Sequence, residues 1–166
     1  MLAFCKRLSL VAGTVAGLAF ASGAAQAQTT VTDTFDVMIQ IDAFCAITNP
    51  TDLDFGTNTL LNADIDQSAT FDVQCTDTTP FDIGLDQGLN FTTTRRMDNG
   101  GGSFVNYALY SDVGYSTDWG NTIATDTVAD TGDGTANTYT VYGRVPTQTT
   151  PAPGNYADTV TIEVTY

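Results

Sequence analysis

The side chains that could do chemistry in this sequence are few, and their spacing excludes most catalytic designs. There is no histidine, and the single lysine is Lys6. Neither a Ser–His–Asp triad nor a Ser–Lys dyad can be assembled from such a set. The cysteines are Cys5, Cys45 and Cys75, with no CxxC pair for redox or zinc chemistry. Carboxylate pairs of the kind used on glycosides exist at Asp52/Asp54 and Asp64/Asp66, but among 19 acids such pairs arise by chance. Asp130-Thr131-Gly132-Asp133-Gly134 lacks the oxygen spacing and closing glutamate of an EF-hand and reads as a solvated turn. Asn90-Phe91-Thr92 is a glycosylation sequon, meaningful only in a host that glycosylates exported chains. Trp119 and Tyr107, Tyr110, Tyr115, Tyr139 and Tyr142 could form a sugar-binding platform, but aromatics at strand spacing usually belong to the core. No catalytic residue, metal or cofactor is implied.

The N-terminus reads as an export signal. Lys6-Arg7 precedes an apolar stretch over 8–20, and Ala25-Gln26-Ala27 is an A-x-A cleavage site. Residues 1–27 are therefore expected to be removed, taking Cys5 with them. Cys45 and Cys75 remain, an even number in an exported chain, which favours a disulfide over two buried thiols. Beyond residue 27 the cations are Arg95, Arg96 and Arg144, against all 19 acids, for a net charge of −16. Such a surface repels nucleic acid and anionic lipid, and direct membrane insertion is not expected. The arginines are expected to pair with carboxylates.

The elements that carry these groups read as strands. Alternating apolar runs recur at Ala69–Cys75, Phe81–Leu85, Tyr139–Val145 and Val160–Tyr166, and Phe104–Tyr110 is an aromatic-rich run. Turn chemistry separates them at 99–102, 130–134 and 151–154. No helical period stands out, so the expected class is all-β, a sandwich of about one domain.

Two runs need a partner. Val31, Phe35, Val37, Ile39 and Ile41 share one phase of an alternating strand near the start. Val160, Ile162, Val164 and Tyr166 share one phase of another, and an apolar strand edge must be covered. Pattern alone leaves two options: residues 31–41 pair within their own sheet, or add to the open edge of a neighbour.

Several segments, in order, resemble the spore coat protein U domain family, whose members include subunits of archaic (Csu-type) chaperone–usher pili. They are Phe35-Asp36-Val37-Met38-Ile39-Gln40-Ile41 ahead of Cys45, Leu53-Asp54-Phe55-Gly56 and Phe71-Asp72-Val73-Gln74-Cys75-Thr76. Arg96-Met97, Asn106-Tyr107-Ala108-Leu109-Tyr110, Trp119-Gly120 and Tyr142-Gly143-Arg144-Val145-Pro146 follow, and the run from Gly154 to Tyr166 is the most specific. The resemblance spans essentially all of 28–166.

It implies an incomplete immunoglobulin-like β-sandwich lacking its last strand, completed by an N-terminal donor strand from a neighbouring subunit. A periplasmic chaperone would fill the gap first, and exchange would occur at an outer-membrane usher. Identical or related pilin subunits would then join head to tail. By position, 28–42 would be the donor segment with Val31, Phe35, Val37, Ile39 and Ile41 as its plugs. Residues 43–166 would be the pilin domain, with Val160, Ile162, Val164 and Tyr166 flanking the acceptor groove and Cys45–Cys75 as the disulfide. The expected product is a cell-surface fibre serving attachment and biofilm formation, with this chain a stalk or minor subunit because tip adhesins look like two-domain chains. The Gly-rich segment after Met97 and the missing lysines depart from the family's pattern. The alternatives are a monomeric secreted binding module and a spore-coat or surface-layer component.

Overall fold

The computed structural model describes residues 27–166. The expected export signal at 1–27 lies outside the described residues except for Ala27. The chain divides into two units at Met38, each described by itself. In the first, residues 27–38 form no strand, and Val31, Phe35 and Val37 are 85–90% exposed.

In the second unit, eight strands run in chain order: β1 (Cys45–Thr48), β2 (Ile65–Cys75), β3 (Pro80–Leu85), β4 (Arg95–Asp98), β5 (Phe104–Tyr110), β6 (Val128–Thr131), β7 (Ala136–Val145) and β8 (Ile162–Thr165). They form a five-stranded sheet in the order β1-β2-β7-β5-β4 and a three-stranded sheet in the order β6-β3-β8. Every pairing is antiparallel.

Alternation explains the long strands. In β2, Ala69, Phe71, Val73 and Cys75 are buried, while Asp72 and Gln74 alternate with them on the outer face. In β7, Val141, Gly143 and Val145 are buried between the outward Tyr142 and Arg144. Facing them, β3 contributes Phe81, Ile83 and Leu85, so one core is shared by both sheets. Gly143 is required by a close approach: a Cβ there would run into the Leu53 side chain and sit 3.0 Å from Phe55 Cζ. The Leu53–Phe55 segment thereby lies across the inner face of the five-stranded sheet.

Trp119 ties the two sheets together. Its backbone N–H donates to Leu109 O on β5, and its indole Nε1–H donates to Ile83 O on β3, each at 2.9 Å. Its ring lies 6.0 Å from that of Phe71 on β2. Trp119 and Tyr107, 1% and 6% exposed, belong to the core rather than to a surface platform.

Cys45 and Cys75 are register partners on β1 and β2 and are joined by a disulfide across a separation of 30 residues. Closing a loop of that length stabilises the fold by about 3.5 kcal/mol in the chain-entropy view. Cys45→Ser is expected to lower the denaturation midpoint accordingly and to reduce exported yield. An unchanged midpoint would contradict a structural role for the bond.

The terminal strand is shorter than its alternation predicts. Pairing with β3 runs from Leu85↔Ile162 to Asp82↔Thr165, leaving Val160 and Tyr166 outside the strand. The strand ends at Asp86, whose N–H still donates to Thr161 O at 3.0 Å but whose carboxylate, in place of its carbonyl, accepts the Thr161 N–H at 2.9 Å.

Candidate functional site

The candidate site consists of the edges of β1 and β8 and the apolar side chains beside them. Each strand has one sheet neighbour, β2 for β1 and β3 for β8. Along both, cover fails between the inner strand and the edge. Ile83 and Leu85 are 0% and 1% exposed, whereas their register partners Val164 and Ile162 are half-buried. Val73 is 1% exposed, and its partner Ile47 is 36% exposed. The edge of β4 differs, because Asp98 and Ala157 exchange two backbone hydrogen bonds that cover it.

On the β8 side, Val160, Ile162 and Val164 pack partly against the core, and Tyr166 is largely exposed. Tyr166 borders an open hollow of about 690 Å³ with Pro80, Asp82 and Asp130. In the β1 region Leu53 and Phe55 are half-buried, and Phe44 and Leu60 are exposed. These four, with Ile47, were absent from the sequence-based site. Ile47 shares the phase of Cys45, and Leu53-Asp54-Phe55 alternates, so a signal was present but short. Of the N-terminal residues, Ile39 and Ile41 fall in this second unit and are also exposed, in no strand. The structure thus brings Val160, Ile162 and Val164 together on one flank, with Tyr166 beyond the strand. Among the described residues, 31–41 form no strand.

A polar network fixes where β8 begins. Asp158 accepts hydrogen bonds from the Tyr107 hydroxyl at 2.7 Å, from Leu89 N–H at 3.0 Å and from Asn90 Nδ2 at 3.1 Å. Burial, reinforced by the bond to Asp158, pushes the Tyr107 phenol far above its ordinary range. Burial opposes ionisation of Asp86, but the hydrogen bonds from Thr161 and Gly88 outweigh it and hold the carboxyl below its usual value. Apart from Gly88, two residues from Asp86, the partners of these residues lie 51 to 75 positions away and leave no local sequence signal.

The arginines only partly follow expectation. Arg144 does pair with carboxylates, forming a two-pronged bond to Asp66 at 2.6 and 2.7 Å beside Asp64 and stacking on Tyr115. That bond keeps Asp66 below the usual carboxylate range. Arg95 instead donates to the carbonyls of Leu85 and Asp86, and Arg96 to the carbonyl of Asn90 while lying over Phe104. The planar fork suits carbonyls left free at the end of β3 as well as it suits carboxylates. All three arginines are therefore engaged by other groups of this chain.

Two antiparallel sheets around one core, with apolar side chains left partly uncovered beside β1 and β8, define a β-sandwich domain. The Spore Coat Protein U domain model matches residues 31–163. The chain belongs to that family. Protein U of Myxococcus xanthus is 34% identical over 128 residues, covering 69% of this chain and 71% of that protein. The fold also matches a chain in the crystal structure of the CsuC–CsuE chaperone–tip adhesion subunit pre-assembly complex, from the archaic chaperone–usher Csu pili of Acinetobacter baumannii. The TM-score is 0.56 with 24% identity over 76% of this chain. This chain spans 40% of that one's length.

Proposed function

We propose that this chain is a structural, non-enzymatic subunit of a surface pilus, polymerised by donor-strand complementation through a chaperone–usher pathway. The N-terminal segment of one copy, within residues 31–41, adds to the sheet edge of the next, and Phe35, Val37, Ile39 and Ile41 fill the uncovered core beside β8. The observation that carries this reading is the loss of cover from Ile83 and Leu85 to Val164 and Ile162, in a chain that also carries an exposed alternating apolar segment. Four such plugs, at about 1.5–3 kcal/mol each when buried, offer roughly 6–12 kcal/mol of gross stabilisation. Main-chain hydrogen bonds along the edge add register and affinity.

The contact is heterologous and does not close on itself, so repetition yields a fibre. Before assembly the same edge needs a temporary occupant. A periplasmic chaperone supplies it, and an outer-membrane usher hosts the exchange. The product is an extracellular fibre for surface attachment and biofilm formation.

A direct test uses the chain without residues 28–42 and a synthetic peptide of those residues. The peptide is expected to bind and raise the thermal midpoint, because it supplies the missing cover. No shift at saturating peptide would refute the donor assignment and favour a self-contained secreted binding module.

A further inference from the structure

We infer that Asp33 is a register stop that ends the docked part of the N-terminal segment at Phe35. This rests on the donor-strand reading above and adds to it the residue that sets the alignment. Side chains two apart share a face in a strand. Asp33 therefore lies in phase with Val31, Phe35, Val37, Ile39 and Ile41, the one charged member of an otherwise apolar file. Asp36, by contrast, falls on the opposite face, where solvent can keep it hydrated.

A carboxylate can enter an apolar groove only if a cation or several donors receive it. The residues flanking the candidate edges offer no cation: none occurs in residues 39–64 or 146–166. The charged residues in those stretches, Asp42, Asp52, Asp54, Asp64, Asp158 and Glu163, are all acidic. The arginines elsewhere are already engaged, Arg95 and Arg96 on carbonyls and Arg144 on Asp64 and Asp66. The side chains left partly uncovered there, Leu53, Phe55, Val160, Ile162 and Val164, are apolar. In the free segment Asp33 is exposed and accepts the Thr34 N–H at 2.8 Å, a local bond that competes with strand pairing.

The consequence is a one-sided limit. Sliding the segment by two residues keeps every plug on the correct face, so parity alone does not fix alignment. A slide that carries Asp33 inward meets an apolar, acidic-rimmed surface and is rejected. Val31, beyond the aspartate, stays outside the docked length.

Hydrogen exchange on assembled fibres tests this residue by residue. In the wild-type fibre, protection is expected over 35–41, while residues 28–33 exchange at the rate of a free chain. D33L is expected to move the protected boundary outward from Phe35 to Val31. Wild-type protection that already reaches Val31 would overturn the stop while leaving the donor reading intact, and this result needs no variant. A D33L boundary that stays at Phe35 would also overturn it. Absence of protection anywhere over 35–41 would sink the donor reading and the register stop together.

Discussion

Ile39→Asp abolishes fibre assembly without unfolding the domain: this is the largest effect expected. The side chain is 87% exposed in the single chain, so replacing it removes nothing from the core. In the proposed joint the same position would be a buried plug. The change forfeits about 1.5–3 kcal/mol of burial and adds the penalty of an unpaired carboxylate in an apolar site. Together these exceed roughly 3 kcal/mol, more than a hundredfold in joint stability. Phe35→Asp should act in the same way. The readout is fibre yield from the cell surface beside the thermal midpoint of the purified variant. Normal fibres from Ile39→Asp would remove residues 31–41 from the joint. Absent fibres together with a lowered midpoint would mean that Ile39 packs within its own domain.

Trp119→Ala has the largest expected effect on the domain itself. Trp119 is 1% exposed, packs against Phe71 and bonds to backbone carried by both sheets. Truncating a buried tryptophan costs about 3–5 kcal/mol, and the Ile83 carbonyl loses its indole donor as well. That is a large share of the roughly 5–15 kcal/mol that stabilises a typical domain. The urea midpoint should fall steeply, and export should fail or drop. Trp119→Phe keeps much of the packing and loses the hydrogen bond, so it should cost less. A loss below about 1 kcal/mol for Trp119→Ala would contradict the role of this residue as the tie between sheets.

How much of this was legible in the sequence depended on whether a strand has one wet face. β2, β3, β5 and β7 alternate because one side meets the shared core and the other meets solvent, and their period appears directly in Phe71-Val73-Cys75 and Val141-Gly143-Val145. β4 was invisible: in Arg95-Arg96-Met97-Asp98 every residue is half-buried, with Arg95 on carbonyls and Arg96 on Phe104. β6 carries only Val128 and Ala129 as apolar residues, and β1 is four residues long, too short for a period to register. The turn at 130–134 was anticipated, but Asp130 and Thr131 belong to β6.

The candidate site was legible in the same uneven way. The phase of Val160, Ile162 and Val164 could be read because β8 turns one face toward the core. Its early end at Thr161 could not, since it depends on Asp86, distant in the chain. The Tyr107–Asp158 bond and the carbonyl partners of Arg95 are likewise tertiary facts with no local signature. The alternation of residues 31–41 announced a strand, but a strand exists only beside another, and these residues form none among the described residues.

The most direct measurement is a gel of sheared cell-surface protein in SDS, run with and without boiling. Donor-strand joints are non-covalent but kinetically stable, because the inserted strand must leave a packed core before detergent can reach it. The account predicts a ladder of multimers in the unboiled lane that collapses on boiling to one band of the mature chain. A single monomer band in both lanes would contradict it.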